Sequence, residues 1–161
     1  MSTSKLKIYI AGPISGKMGE SVVQHFNEKR AILSDFGYEV YSPMTGKEYL
    51  RNEVGPLQST GYEHHPLATD QAIFYRDRWM VGMVDVILAD LSHSGKRVSI
   101  GTMFELAWGN LLHKQVIVVL PEDNIHDHAF VKQAATIIFR NIEEAYDYLQ
   151  ELTASREWIG D

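Results

Sequence analysis

Two nearly continuous apolar runs stand out, Asp85-Val86-Ile87-Leu88-Ala89-Asp90-Leu91 and Gln115-Val116-Ile117-Val118-Val119-Leu120. Runs of this kind mark parallel strands covered on both faces. A helical stretch from about Ile100 or Gly101 lies between them, so the three elements predict a β-α-β crossover. Upstream, Lys7 to Ala11 reads as a first strand and Tyr38 to Ser42 as a second, closed by Pro43. The helix between them, from about Gly19 to Phe36, places Val22, Phe26, Leu33 and Phe36 on one face, and Gly37 follows as a terminating residue. Another helix starts near Thr69 or Asp70 and runs to about Met83, with Ile73, Met80 and Val84 on its buried face. Ala134 to Phe139 predicts a short fifth strand. Ile142 to Leu152 predicts a closing helix with Ala145, Tyr148 and Leu149 inward, and 153–161 a loosely packed tail. The order is that of an α/β protein, a Rossmann-like or flavodoxin-like three-layer fold with a five-stranded, mostly parallel sheet.

The segment from Met44 to Leu67 breaks this periodicity with scattered glycines and prolines. Irregular segments of more than about 15 residues are uncommon in compact domains and often functional. This one carries Tyr49, Tyr62, His64 and His65, and its aromatics are suited to covering a planar base. The adjacent histidines have no further ligands at metal-site spacing, so no metal is expected.

Length and composition narrow the reading. The 161 residues predict one domain, with 45% hydrophobic and 22% charged residues. A net charge of −6 provides no basic footprint, so no nucleic-acid polymer is expected as partner. An anionic small molecule is not excluded, because a local phosphate site needs amides and hydroxyls more than global charge. The absence of cysteine rules out a disulfide framework, a thiolate metal site and a cysteine nucleophile. No run reaches the ~20 apolar residues of a membrane span, and the polar start lacks a secretion signal. A cytoplasmic protein is expected.

Three features carry candidate chemistry. The turn Gly12-Pro13-Ile14-Ser15-Gly16-Lys17 follows the first strand, where α/β folds hold phosphates on main-chain amides. It matches neither the dinucleotide fingerprint nor the Walker pattern. Asp77 falls on the apolar face of its helix, four after Ile73 and three before Met80, where a carboxylate is costly unless paired or functional. Glu105 falls in the early turns of the crossover helix, on one face with Trp108, Gly109 and Leu112. Each also has a plain structural reading: a connecting turn, an acid held by Arg76, Arg78 or a loop amide, and a helix-start carboxylate.

Taken together, Tyr9-Ile10-Ala11-Gly12-Pro13, Arg76-Asp77, Val84 to Asp90, and Ser99-x-Gly101-x-x-x-Glu105 with Gly109 resemble the nucleoside 2-deoxyribosyltransferase superfamily. That superfamily includes transferases and nucleoside 5′-monophosphate N-glycosidases, and the resemblance spans Lys7 to about Leu152. It implies that Glu105 attacks the anomeric carbon to form a covalent glycosyl-enzyme, with retention at the sugar. It also implies that Asp77 contacts sugar or base and moves a proton to the departing base, and that Tyr9 touches the nucleophile and the 2′ side of the sugar. No cofactor is implied. A homodimer or larger homo-oligomer is, with a polar residue entering the neighbouring site from the segment after the fourth strand; His128 is the nearest candidate, with His126 behind it.

The position six before the nucleophile separates the branches. Transferases usually carry an aspartate there for a free 5′-hydroxyl, whereas the hydrolases carry a serine, which can donate to a phosphate that an aspartate would repel. Here it is Ser99. The expected activity is therefore hydrolysis of a nucleoside 5′-monophosphate, with Gly12, Pro13, Ile14, Ser15, Gly16, Ser99 and Gly101 around the phosphate and Lys17 as counter-charge. Tyr9 favours a 2′-deoxy substrate, while Gly101 to Trp108 looks closer to the branch that cleaves CMP. The competing readings are a transferase exchanging bases and a non-enzymatic nucleotide-binding module.

Overall fold

The computed structural model describes residues 4–45, 47, 50, 52–58, 61, 62 and 66–159. Strand β1 (Lys7–Ala11) leads to helix α1 (Gly19–Asp35) and strand β2 (Glu39–Tyr41). After the long loop, helix α2 (Asp70–Met83), strand β3 (Val86–Asp90), helix α3 (Ile100–Leu111) and strand β4 (Gln115–Val119) follow. Helix α4 (Ala129–Ala134), strand β5 (Ile137–Phe139) and helix α5 (Ile142–Ile159) complete the order. The strands form one sheet, β2-β1-β3-β4-β5, with every pairing parallel.

Alternation along β1 explains the layers. Ile8 and Ile10 join the core under α1 and α5, whereas Tyr9 and Ala11 face the opposite core with Met80 and Val81 of α2 and Leu106 of α3. Sequence order reverses at β1 and β3, and a crevice opens beyond the carboxyl ends of strands at such a switch point. Two local devices fix helix ends. Gly37, at φ +101°, ends α1, its N–H donating to the Ser34 carbonyl. Thr69 caps α2 by accepting from the Ala72 N–H at 3.2 Å.

Gly109 shows how closely α3 lies on the sheet. A β-carbon there would fall 2.2 Å from Cδ1 of Ile87 and 3.2 Å from Cγ2 of Val116, so any larger residue would require the buried Ile87 side chain to shift. The long loop is tied to the β1–α1 turn: Gly16 N–H donates to the Leu57 carbonyl at 2.7 Å, and Leu57 N–H to the Lys17 carbonyl at 2.6 Å.

Three sequence expectations need correction. The stretch from Ala134 is not all strand, because α4 ends there and β5 covers only Ile137–Phe139. Residues after Leu152 are not a loose tail, since α5 continues through Ile159. Leu112 is 47% exposed, as α3 ends one residue before it, so it shares no buried face with Glu105. The sheet is wholly parallel. Tyr49, His64 and His65 lie outside the described residues. No helix among the described residues is long and apolar enough to cross a membrane.

Candidate active site

Tyr9 sits on central strand β1 and Glu105 in the second turn of α3, the helix over the neighbouring strand β3. The Tyr9 hydroxyl donates to Glu105 Oε1 at 2.6 Å, with both side chains buried. Burial and the Glu105 charge push the Tyr9 phenol well above its ordinary range, so it remains a donor. Burial, then the Asp77 carboxylate, pushes Glu105 up to about 8; the Tyr9 hydrogen bond and the Lys47 ammonium pull it down.

Asp77 is delivered by α2, with 8% of its surface exposed. Of its sequence-level partners, Arg76 is the one present: its Nε lies 3.7 Å from Oδ1, an ion pair too long for a hydrogen bond. Arg78 instead stacks over the Tyr75 ring, 4.9 Å from its centroid. Asp77 Oδ1 is thus buried without a hydrogen-bond partner. Burial raises its pKa, opposed by Lys47 and then Arg76. A buried, unsatisfied carboxylate beside a second one is the pattern of an acid–base pair.

A cavity of about 380 Å³ joins Asp77 and Glu105, whereas Tyr9, fully buried, does not line it. The β1–α1 turn contributes Gly12, Pro13, Ile14 and Ser15; α2 contributes Asp77; α3 and its approach contribute Arg97, Ser99, Ile100, Gly101, Thr102 and Glu105. The long loop forms another wall with Lys47, Leu50, Leu57, Gln58 and Tyr62. Ser99 is the N-cap of α3, yet its side chain caps no amide; its Oγ meets Thr102 Oγ1 at 2.8 Å. The first amides of α3 therefore stay open at the positive end of the helix.

Three predicted residues lie elsewhere. Gly16 does not line the cavity; its amide is engaged by Leu57, and a β-carbon on it would fall 2.9 Å from Nη1 of Arg97. Lys17 donates its ammonium to the His93 carbonyl and lines a separate cavity bounded by the buried Lys29–Asp90 pair, whose atoms are 2.9 Å apart. His128 is exposed and caps α4, accepting from the Phe130 N–H at 3.2 Å. His126, by contrast, is 2% exposed and tied to this site: its Nε2 accepts the Ser99 N–H at 2.8 Å, and its Nδ1 lies 3.0 Å from Asn124 Oδ1. That geometry assigns Nδ1–H as donor and a neutral ring, in line with the lowering of its pKa by burial.

Sequence reasoning missed Lys47 and Arg97 as cavity residues. Lys47 is 6% exposed, but it belongs to a segment without periodicity, so no pattern signalled its burial. Arg97 lies in the loop before α3, where no periodicity marks a position as facing the cavity. Among the described residues no cluster of three or more His, Asp or Glu is arranged to hold a metal.

Among curated proteins none matches. Among solved structures, a 2-deoxyribosyltransferase from Bacillus psychrosaccharolyticus is similar with TM-score 0.60 and 20% identity, covering 88% of this chain and 91% of that one. The CMP N-glycosidase BcmB of Clostridium botulinum is similar with TM-score 0.54 and 18% identity, covering 91% and 96%. Both share the fold. Residues 8–146 match the family model described as nucleoside 2-deoxyribosyltransferase. The chain belongs to the nucleoside 2-deoxyribosyltransferase family, a family of enzymes.

Proposed function

We propose that this chain, as one catalytic domain, hydrolyses the N-glycosidic bond of a nucleoside 5′-monophosphate. The observation that carries this reading is Ser99, an N-cap whose hydroxyl caps nothing, opening with the first turn of α3 into the cavity that holds Glu105. Six residues of helix separate them, about 9 Å of rise, which suits a phosphate and an anomeric carbon on opposite sides of one sugar. Ser99 and the open amides donate to the phosphate, and Arg97 takes the counter-charge role expected of Lys17.

The chemistry is a double displacement. A Glu105 carboxylate oxygen bonds to the anomeric carbon while the bond to the base nitrogen breaks, its electron pair leaving with the base and a proton coming from Asp77. Water then attacks the same carbon, the bond to Glu105 breaks, and Asp77 takes the water's proton. Free base and sugar 5-phosphate result, with configuration retained. Tyr9, donating to Glu105 Oε1, holds the nucleophile, and a tyrosine at this place in the first strand favours the 2′-deoxy substrate.

A second reading, base exchange by a deoxyribosyltransferase, uses the same nucleophile with a base as acceptor; the fold shared with such an enzyme favours keeping it. Assembly with further copies fits the exposed apolar face of α2 and α3, where Trp79 is 62%, Ile100 68% and Leu111 74% exposed. We place the activity in the cytosol, beside the free nucleotide pool. Replacing Ser99 by Asp tests the phosphate reading. Turnover of monophosphates should fall by about tenfold or more while unphosphorylated nucleosides are spared, because like charges then meet. Equal losses on both substrates would contradict it.

A further inference from the structure

The cavity beside Lys17 has a volume of about 340 Å³, within the range of about 300–1,000 Å³ usual for small-molecule sites. Gly12 and Pro13 line this cavity and the catalytic one alike, so the β1–α1 turn is their common wall. Neither Asp77 nor Glu105 reaches it. Ile10, Ala11, Val22 and Phe26, all buried, give it an apolar lining.

Its polar side chains divide into engaged acceptors and spare donors. Asp90 is the one carboxylate on the wall, and both its oxygens are taken: Oδ2 pairs with the buried Lys29 ammonium at 2.9 Å, and Oδ1 accepts the Ser92 N–H at 3.0 Å. Lys29 also donates to His25 Nε2, which leaves the proton of that ring on Nδ1. Lys17 differs from Lys29. Its ammonium donates to the His93 carbonyl, and no carboxylate among the described residues lies within ion-pair distance of it. The His93 ring meets the His25 ring edge-on, with centroids 5.4 Å apart, and Ser21 adds a hydroxyl from the first turn of α1.

Lys29 and Asp90 cancel, so one positive charge is left uncompensated beside neutral donors and an apolar wall. The matching ligand carries a single negative charge on an apolar body. A phosphate, with nearly two charges, would leave one unmatched. We propose that this cavity is a second binding site, for a small organic monocarboxylate whose carboxylate meets the Lys17 ammonium and whose body lies against Val22 and Phe26.

The test is imidazole nitrogen-15 NMR of the full chain titrated with benzoate, with benzamide as its neutral counterpart and inorganic phosphate as the more highly charged anion, at constant ionic strength. His25→Gln and His93→Gln assign the two reporters, while His126, bonded to the Ser99 N–H, reports on the catalytic cavity. Benzoate should shift His25 and His93 saturably, with a Kd about tenfold below those of benzamide and phosphate, the size of a charge-assisted contact. Lys17→Met should raise that Kd by about tenfold, and Lys17→Arg should hold it. Lys17→Gln serves as the neutral variant if Lys17→Met does not fold. The proposal is overturned by the absence of a saturable shift, by benzamide or phosphate binding as tightly as benzoate, or by an unchanged Kd in the neutral variants. A benzoate response of His126 without one of His25 and His93 would place the carboxylate in the catalytic cavity and overturn it as well.

Discussion

The Tyr9 hydroxyl and Glu105 Oε1 lie 2.6 Å apart, with the tyrosine fully buried and the carboxylate nearly so. A strand residue and a helix residue far apart in sequence thus share one proton donor at the centre of the fold. Tyr9→Phe removes that donor without changing the ring. Losing a hydrogen bond to a charged group is worth about 1.5–3 kcal/mol, so kcat should fall by about ten- to a hundredfold. Single-turnover kinetics would show whether glycosyl-enzyme formation is the slowed step.

The elevation of Glu105 to about 8 has consequences for activity and for stability. The nucleophile must be ionised, so kcat/KM should rise from pH 6 toward pH 9 in the free enzyme. A pH–rate profile flat above pH 6 would contradict this.

For stability the sign is opposite to that of a salt-bridged acid. With its folded pKa raised above the unfolded value, Glu105 folds at no ionisation cost in acid and at growing cost as pH rises through the interval from the unfolded value to about 8. Glu105→Gln should therefore gain stability over the wild type by about 2–4 kcal/mol between pH 4.5 and pH 8. Urea unfolding of both proteins at the two pH values measures the difference.

His126 holds the Ser99 N–H and is held in turn by Asn124. Replacing it with leucine leaves a half-buried N–H unpaired and frees the loop that presents Ser99. KM for a monophosphate should rise about tenfold with kcat little changed, the size of one lost buried hydrogen bond. His126→Gln, which restores an acceptor, should recover part of it.

Gly109 permits the seating of α3 on the sheet. Gly109→Ala would drive its β-carbon into Ile87, and overpacking of this kind costs about 1–3 kcal/mol. A lowered Tm together with lost activity is expected, because the same helix carries Glu105.

Much of this was legible in the chain. The apolar runs of β3 and β4 with a helix between them predict a parallel crossover, and the spacing of Ile73, Asp77 and Met80 puts a carboxylate on a buried face. Glu105 was readable as an inward acid at a helix start. What stayed hidden rests on contacts between distant segments. Helix α4 has six residues, too few for a periodic signal. Lys17 and His128 look like ligand groups, but the paths of the β1–α1 turn and of α4 direct them elsewhere. Lys47 and His126 reach the site only through the fold, far in sequence from the Asp77, Glu105 and Ser99 they join there.

The central proposal is tested most directly by chromatographic product analysis after incubating the protein with deoxynucleoside monophosphates, nucleoside monophosphates and unphosphorylated deoxynucleosides, beside Glu105→Ala. Release of free base from a monophosphate by the wild type, and not by the variant, is the expected result. Turnover confined to unphosphorylated nucleosides, and only when a second base is supplied, would contradict it and make the chain a transferase.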